Sequence, residues 1–370
     1  MNILLKGYYG FGNLGDDILM KVSFELLQSK YPKAKISVFS NNSVNNKDSN
    51  TKEGYNNYIK QILGQDVEIV DWTCSRQFDI LFQGGGGIYF DHSSSFIFLI
   101  INMVIRKIPI SWTARIDSYI RKLIHKPKRI SQKLTLGAGV GIGEYTKGST
   151  LLFHHLSEIS SHDKLIVRDQ SSYNFLLKNK LSLNNFALNT DLAFINSWNK
   201  WECKDRKTVA SVGIVVKGNL DETLQSILIQ FRDQTLQSGI DIIYYSFDEN
   251  YDVHCKDIFG RNKFVQYHPS HLESFLEDFR SRDLLITARA HGAILGACLG
   301  IPSIILDTGI KLREVSRMFE NSCVRLSNWE LRELQKAFSY MTDNYSSVIA
   351  DLRADVQTQQ EKAKELHKFL

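Results

Sequence analysis

The sequence predicts an α/β protein whose two Rossmann-like domains face a cleft. Short apolar strands alternate with helical patterns in the first half of the 370-residue chain, and the second half repeats this alternation. A polar stretch without strong periodicity, 196–207, separates the halves. We therefore expect domains at 1–198 and 199–370, with a charged helical tail over 329–370. Two such domains with a C-terminal helix form a GT-B-like arrangement.

In the first half, each strand is predicted from a short apolar run and each helix from apolar residues at helical spacing. The first strand, Ile3–Leu5, leads into a helical pattern of Ile18, Leu19, Val22 and Leu26, and a helix is predicted at Ser23–Lys30. Further strands are predicted at Ile36–Phe39, Val67–Val70, Ile80–Phe82, Leu134–Leu136 and Leu165–Val167. Further helices are predicted at Tyr55–Leu63 and Leu151–Ser160.

The second half shows the same pattern after a buried-strand run. Its predicted elements are, in order, the strand Val209–Val216, the helix Leu220–Gly239, the strands Ile240–Ser246 and Leu284–Thr287, the helix Ala293–Leu299 and the strand Ser303–Leu306. Ligands of such sheets bind beyond the carboxyl ends of the strands. We therefore expect the loops that follow these strands to line the cleft.

Cysteine usage and the N-terminal residues indicate a cytoplasmic protein. The five cysteines are scattered and form no C-x-x-C pair, which speaks against a disulfide framework or a structural zinc site and favours a reducing compartment. The apolar run Asn2–Leu5 is too short for the core of a signal peptide, and Lys6 ends it. No carboxylate–histidine cluster has the spacing of metal ligands, so we expect no metal site.

A glycine-rich loop follows the first strand. Gly10 to Gly15 reads G-x-G-x-x-G, the pattern of a dinucleotide-binding loop. The next strand, however, is followed by Ser40-Asn41-Asn42 and lacks the acidic residue that would bind a ribose. Asp16 and Asp17 would also repel a pyrophosphate placed on the same amides. A tight strand-to-helix turn with Asp16 or Asp17 as the helix cap explains the loop equally well.

An unusual segment at 93–133 interrupts the first half. Ten mostly apolar residues, 96–105, are too few to span a bilayer as a helix. Nine Lys and Arg residues follow over 106–133, where Asp117 is the only acid. Two interpretations stay open: a buried helix with a solvated basic flank, or a surface that lies on an anionic membrane. The segment lacks the aromatic platforms of a nucleic-acid site, so we expect no nucleic-acid partner.

Three short motifs follow strands of the first half. The run Gly84–Gly87 would let the backbone approach an anion closely, although a tight turn explains it as well. Arg168, at the end of a predicted strand, is either a fork for phosphate or carboxylate or one half of a pair with Asp169. Asp191 precedes an apolar pair, which favours a helix cap.

The most informative stretch lies in the second half, between two predicted strands. The strand Leu284–Thr287 is followed by Arg289 and His291, and then by a helix rich in Gly and Ala. The N-terminus of that helix would face an anion, Arg289 offers a planar fork, and His291 offers a proton donor and acceptor near neutral pH. One further cation, Lys311, follows the next strand.

Together these motifs resemble the polysaccharide pyruvyl transferase family over roughly residues 1–320. The resemblance rests on motifs that occur in the family's order: GYYGFGNLGDD at 7–17, GGGG at 84–87, VRD at 167–169, TDLAF at 190–194, RAHGA at 289–293 and GIPSIILD at 300–307, followed by Lys311. Lys217 is a departure, since members often carry Arg after that strand.

The resemblance implies a GT-B enzyme that moves the enolpyruvyl carbons of phosphoenolpyruvate onto a sugar as a ketal. The acceptor would belong to a cell-surface polysaccharide or its lipid-linked precursor. It places Arg289 and His291 at the donor site, and we expect His291 to transfer a proton. The expected substrate-binding residues are Gly12, Asn13, Asp16, Gly85, Gly86, Arg168, Lys217, Gly292 and Lys311.

Phosphoenolpyruvate would act as donor substrate, and no cofactor or metal is expected. A lipid-linked acceptor would suit a cytoplasmic protein held peripherally at the inner face of the cell membrane. The main alternative is a GT-B glycosyltransferase with a nucleotide-sugar donor, because the fold is shared. A member that only binds glycans is disfavoured, because both Arg289 and His291 are retained.

Overall fold

A computed structural model describes residues 1–40, 49–71, 74–91, 131–146, 149–181, 185–200 and 207–369. It contains two parallel sheets, one in each half of the chain, and helices connect most of the successive strands. This arrangement confirms the predicted α/β class. Neighbouring strands of both sheets run parallel, with Ile3 beside Ile80 in the first sheet and Leu285 beside Gly213 in the second.

The first sheet has eight strands. Their order is β3-β2-β1-β4-β6-β7-β8, with β5 paired to β6. The strands are β1 Asn2–Lys6, β2 Lys35–Phe39, β3 Glu68–Val70, β4 Gln77–Gln83, β5 Gly86–Tyr89, β6 Ser131–Ile142, β7 Lys164–Val167 and β8 Phe186–Leu188. The helices between them are α1 Leu14–Lys30, α2 Ser49–Leu63, α3 Thr150–Ser160 and α4 Gln170–Lys178, followed by a 3-10 turn at Leu192–Ile195.

The second sheet has six strands in the order β11-β10-β9-β12-β13-β14, the classical doubly wound order. Its strands are β9 Ser211–Val216, β10 Asp241–Ser246, β11 Phe264–Gln266, β12 Leu284–Thr287, β13 Ser303–Leu306 and β14 Cys323–Leu326. The helices are α5 Glu222–Gln237, α6 Cys255–Phe259, α7 Leu272–Phe279, α8 Ala290–Cys298, α9 Ile310–Met318, α10 Leu331–Asp343 and α11 Tyr345–Phe369. Strand order reverses between β9 and β12, as it does between β1 and β4 in the first sheet.

Helix α1 begins at the glycine-rich loop and packs into the core. Asn13 is its N-cap, because the Asn13 side chain accepts hydrogen bonds from the backbone N–H groups of Gly15 and Asp16. The expected capping by Asp16 or Asp17 is therefore wrong. Both carboxylates lie in the first turn instead, where the partial positive charge of the helix end favours them.

The apolar core is continuous between the two halves. Leu14 and Ile18 of α1 belong to the same buried cluster as Phe247, Phe275 and Phe279 of the second half. Removing apolar surface from water stabilises the folded protein by about 25 cal/mol per Å². This shared cluster is therefore the main source of stability that holds the halves together. The two sheets are thus fixed with the carboxyl ends of their strands facing one cleft.

The terminal helix α11 returns to the first half. Gln359 accepts a hydrogen bond from the Thr190 hydroxyl at 2.8 Å, and Lys164 donates to the carbonyl of Phe369 at 3.1 Å. Leu366 is fully buried in the shared core. The terminal helix therefore contacts both halves, because Asp355 also accepts a hydrogen bond from Ser322. The predicted domains, 1–198 and 199–370, stay a prediction.

Most of the segment predicted at 93–133 lies outside the described residues. Its last three residues, 131–133, begin β6. The contact of this segment with an anionic membrane stays a prediction, which co-sedimentation with anionic and neutral vesicles would test. Among the helices that the structure describes, none combines the length and apolar character needed to cross a membrane.

Candidate functional site

A cavity of about 550 Å³ lies where the strand ends of the two halves face each other. The first half contributes loops that follow β1, β5, β6 and β7, and the second half contributes loops that follow β9, β10, β12 and β13. Seven of the predicted residues line it: Asn13, Asp16, Arg168, Lys217, Arg289, His291 and Lys311. A position beyond the carboxyl ends, at the reversals of strand order, is where ligands of such sheets bind.

The glycine-rich loop joins the two halves beside this cavity. The Leu14 N–H donates to the Phe247 carbonyl at 2.9 Å, and the Glu249 N–H donates to the Gly12 carbonyl at 3.0 Å. The Asn13 side-chain amide donates to Asp248 at 3.2 Å. Gly12 has a φ of 70°, which a residue with a side chain rarely adopts. Gly12 and Asn13 therefore connect the halves, and Asn13 also faces the cavity.

His291 lies in the first turn of α8 with its ring largely buried. Its Nε2 is 3.7 Å from Oδ2 of Asp191, an ion-pair separation that is longer than a hydrogen bond. Among the described residues, this buried nitrogen has no hydrogen-bond partner. An unsatisfied buried polar atom at a cavity wall is a position that a ligand group can satisfy.

Asp191 links His291 to Arg168. It is fully buried, caps the 3-10 turn through the Ala193 N–H, and accepts a hydrogen bond from Arg168 Nη1 at 2.8 Å. Burial acts to raise the pKa of Asp191, but His291 and Arg168 outweigh it and hold that pKa below its usual range. Arg168 thus pairs with acidic residues and also lines the cavity, while its role as a fork for phosphate or carboxylate stays a prediction.

Arg289 is the N-cap residue of α8, and its guanidinium is held by a buried carboxylate. Its Nη2 lies 2.5 and 2.6 Å from the two oxygens of Asp252, and its Nε donates to the Val216 carbonyl at 3.1 Å. Asp252 is fully buried and also accepts from the Gly218 N–H at 2.7 Å. The fork is therefore fixed in one orientation at the cavity wall.

Two lysines complete the cationic side. The Lys311 Nζ lies 3.7 Å from the centre of the Phe90 ring, a cation–π contact. Burial, together with the neighbouring charge of Arg168, lowers the pKa of Lys311 to about 8. Burial, with the charge of Arg289, also lowers the pKa of Lys217. Four cations placed this close repel one another, and a bound anion would relieve that repulsion.

Asp16 is one of two acidic residues among the described ones that line the cavity, the other being Glu144. Burial raises the pKa of Asp16, while the nearby charges of His291 and Lys311 oppose that shift. An ideal Cβ on Gly86 would lie 3.3 Å from Oδ1 of Asp16. Gly86 therefore borders Asp16, whereas Gly85 packs against Leu192 and Gly292 packs against Thr287 of β12.

Several residues that line the cavity, or that hold the residues lining it, carried no usable signal in the sequence. Asp252 and Asp248 lie in a polar loop after β10, and nothing in their neighbours marks them as partners of Arg289 and Asn13. Tyr8 and Phe90 also line the cavity. Asp191 was predicted as a cap, which is confirmed, but the TDLAF motif was the only hint of its contact with Arg168.

Comparison with known proteins places the chain in a family and a fold. The family model for polysaccharide pyruvyl transferase matches residues 13–309. No protein of curated function matches the chain in sequence. The predicted GT-B-like fold is confirmed by solved structures that are similar over nearly their whole length.

Three of these structures illustrate the likeness. A UDP-N-acetylglucosamine 2-epimerase, described as putative, from Listeria monocytogenes has a TM-score of 0.59 at 12% identity, covering 99% of this chain and 94% of that one. The UDP-GlcNAc 2-epimerase of Neisseria meningitidis, bound to UDP-GlcNAc, has a TM-score of 0.55 at 10% identity, covering 100% and 99%. The Anabaena HepE protein in complex with UDP has a TM-score of 0.55 at 12% identity, covering 100% of both chains.

Proposed function

Because this chain belongs to the polysaccharide pyruvyl transferase family, we propose that it transfers the three carbons of phosphoenolpyruvate to a sugar as a pyruvyl ketal. The product is a cyclic ketal that bridges two hydroxyls of the acceptor, and inorganic phosphate is released. The acceptor sugar belongs to a cell-surface polysaccharide or its lipid-linked precursor.

One observation carries this proposal: a histidine and four cations converge on one cavity from four different strand ends. Arg168, Lys217, Arg289 and Lys311 suit a donor that carries both a carboxylate and a phosphate. The Arg289 fork is held by Asp252 and the Arg168 fork by Asp191, so neither has to be ordered when the donor binds. The cavity volume of about 550 Å³ leaves room for a sugar beside a three-carbon donor.

The reaction forms two C–O bonds at C2 of the donor, the first by addition and the second by displacement of phosphate. The methylene carbon C3 takes a proton, and the oxygen of one sugar hydroxyl bonds to C2 as that hydroxyl loses its proton. The second hydroxyl oxygen then bonds to C2 while the bond from C2 to the phosphate oxygen breaks. Phosphate leaves with that electron pair and a proton. No group is oxidised or reduced overall.

His291 delivers the proton to C3 in this scheme. Its Nε2 is buried at the cavity wall without a hydrogen-bond partner in the described part of the chain, and Asp191 lies 3.7 Å away. A buried carboxylate at that distance stabilises the protonated imidazole before transfer. Asp16, which borders the same space, is placed to accept a proton from an acceptor hydroxyl.

Turnover with defined substrates tests the proposal. The protein is incubated with phosphoenolpyruvate and a panel of simple and lipid-linked sugars, and released phosphate is measured together with the mass of the sugar product. We expect phosphate release that depends on the acceptor and a product with the added mass of a pyruvyl ketal. Calorimetry separates the nucleotide-sugar alternative: binding of UDP-glucose without binding of phosphoenolpyruvate would contradict the proposal.

A further inference from the structure

The cavity has a second, aromatic side that the donor chemistry leaves unused. Tyr8 of the first half and Tyr251 of the second half both line it. Tyr8 is 44% exposed and Tyr251 is 51% exposed, although folding usually covers large aromatic rings. The cations of the donor side come from other strand ends. Tyr8 and Tyr251 therefore reach the cavity from the ends of β1 and β10, whereas the four cations follow β7, β9, β12 and β13.

The ring of Tyr8 is held in a fixed position. It stacks on Phe11 with ring centres 4.3 Å apart and an angle of 19° between the planes. Phe11 covers one face of the Tyr8 ring, while the side chain keeps 44% of its surface in contact with solvent. Burial and the carboxylates of Asp16 and Asp248 raise the pKa of the Tyr8 hydroxyl, so the ring edge lies near acidic hydrogen-bond acceptors.

The position of Tyr251 is coupled to the donor side. The Tyr251 N–H donates to Oδ1 of Asp248 at 2.7 Å, and Oδ2 of the same carboxylate accepts from Asn13. The next residue, Asp252, holds the Arg289 guanidinium. One short loop therefore places an exposed aromatic ring and orients a donor cation, and Asn13 connects that loop to the loop that carries Tyr8.

We propose that Tyr8 and Tyr251 form the acceptor subsite, where they bind the apolar face of one pyranose ring. This inference rests on the proposed function, because it places the acceptor beside the donor. A pyranose carries C–H groups on its face and hydroxyls around its edge. Its face packs on an aromatic ring, while its edge can reach carboxylates such as Asp16. The subsite selects an uncharged sugar ring rather than a second anion.

Saturation-transfer NMR on the full-length protein tests the subsite without requiring turnover. The probes are methyl β-D-galactopyranoside, methyl β-D-glucopyranoside and the open-chain alditol galactitol, which has no ring face. The variants are Tyr8→Ala and Tyr251→Ala, with Tyr8→Phe and Tyr251→Phe as the conservative pair. Tyr340→Ala is the matched control, because Tyr340 is 53% exposed and does not line the cavity.

We expect at least one pyranoside to bind the wild-type protein through its ring C–H protons and galactitol to give no comparable signal. Each alanine variant should weaken that binding about tenfold, within the range of aromatic contacts. The phenylalanine variants should stay within about threefold of wild type, and Tyr340→Ala should match it. In turnover assays, the alanine variants should raise KM for the acceptor while the Kd for phosphoenolpyruvate stays constant.

Four results would overturn the subsite. The first is equal binding of pyranosides to the wild type and both alanine variants, and the second is that no pyranoside binds the wild type. The third is a loss of binding in the phenylalanine variants as large as in the alanine variants. The fourth is that uridine displaces the bound sugar and that the alanine variants lose uridine binding. Failure of the proposed function looks different: tyrosine-dependent pyranoside binding would remain, but phosphoenolpyruvate would neither bind nor release phosphate.

Discussion

Gly15 of the first half lies directly against the imidazole of His291 from the second half. A Cβ placed on Gly15 would overlap Nδ1 and Cγ of that ring. The start of α1 therefore forms the surface on which the His291 ring lies, and only a residue without a side chain leaves the ring its observed position. This contact ties the position of the His291 ring, the proposed proton donor, to the way the two halves meet.

Gly15→Ala should lower kcat while the protein stays folded. Alanine is a good helix former at this position, but its methyl group must push the His291 ring away, and such overpacking typically costs about 1–3 kcal/mol. We expect kcat to fall by roughly tenfold or more with phosphoenolpyruvate affinity within a few fold of wild type. Ser29→Ala, on the exposed end of the same helix, is the control and should be neutral. Unchanged kcat would show that the position of the His291 ring does not matter.

His291→Ala should abolish most turnover and leave donor binding largely intact. Proton transfer by a positioned side chain contributes on the order of 10²–10⁴-fold, and that contribution is made only in the transition state. Steady-state kinetics and calorimetry with phosphoenolpyruvate measure the two effects separately. The exposed His271 provides the matched control variant, His271→Ala. Wild-type kcat in His291→Ala would remove His291 from the mechanism.

Arg289→Lys should weaken phosphoenolpyruvate binding by about tenfold or more, because a point charge cannot replace a fixed fork. Lysine cannot contact Asp252 and the Val216 carbonyl as the guanidinium does. Calorimetry measures the affinity, and Arg261→Lys, whose side chain is 74% exposed, serves as the matched control. Near-normal affinity in Arg289→Lys would show that Arg289 serves the fold alone.

Donor affinity should fall as the pH rises through about 8. Burial lowers the pKa of Lys311 to about 8, so its charge is present below that pH and lost above it. Titrations at pH 7 and pH 9 should show weaker phosphoenolpyruvate binding at the higher pH. Lys311→Arg should reduce this difference, because arginine keeps its charge. An equal pH dependence in wild type and Lys311→Arg would assign the effect to another group.

Stability should fall with rising pH because of Asp17. This carboxyl is buried and hydrogen-bonded to the Tyr267 hydroxyl at 2.7 Å, and burial raises its pKa to about 8. The stability that the protonated Asp17 contributes is fully present below the unfolded-state pKa of about 3.9. Above that value the unfolded chain loses the proton while the folded protein keeps it, so the free energy of unfolding falls until the pH passes about 8. Each pKa unit corresponds to about 1.36 kcal/mol, so the loss can reach several kcal/mol.

Urea unfolding at pH 5 and pH 8 measures this effect. Asp17→Asn has no titrating carboxyl and should lose less stability than wild type over that interval. Asp66→Asn, at a side chain that is 88% exposed, should behave like wild type. If Asp17→Asn keeps the full pH dependence, another group is responsible.

The sequence by itself determined the fold class and seven of the residues that line the cavity. Apolar runs and helical spacing depend on neighbouring residues, so most strands and long helices were predicted within a few residues. Because the strand Leu284–Thr287 was predicted from such a local pattern, Arg289 and His291 could be found from their place directly after it. Short elements without a periodic pattern, such as β8, β11 and the 3-10 turn at Leu192–Ile195, were not predicted.

Only the tertiary structure decided which side chains meet. Asn13 contacts Asp248 across 235 positions, Arg289 contacts Asp252 across 37, and Arg168 contacts Asp191 across 23. Local pattern carries no information about such pairs, because they depend on how two sheets and their helices pack. The return of α11 to the first half and the contact of Gly15 with His291 have the same origin. The buried core that joins the halves fixes their orientation, and that orientation brings the residues of the cavity together.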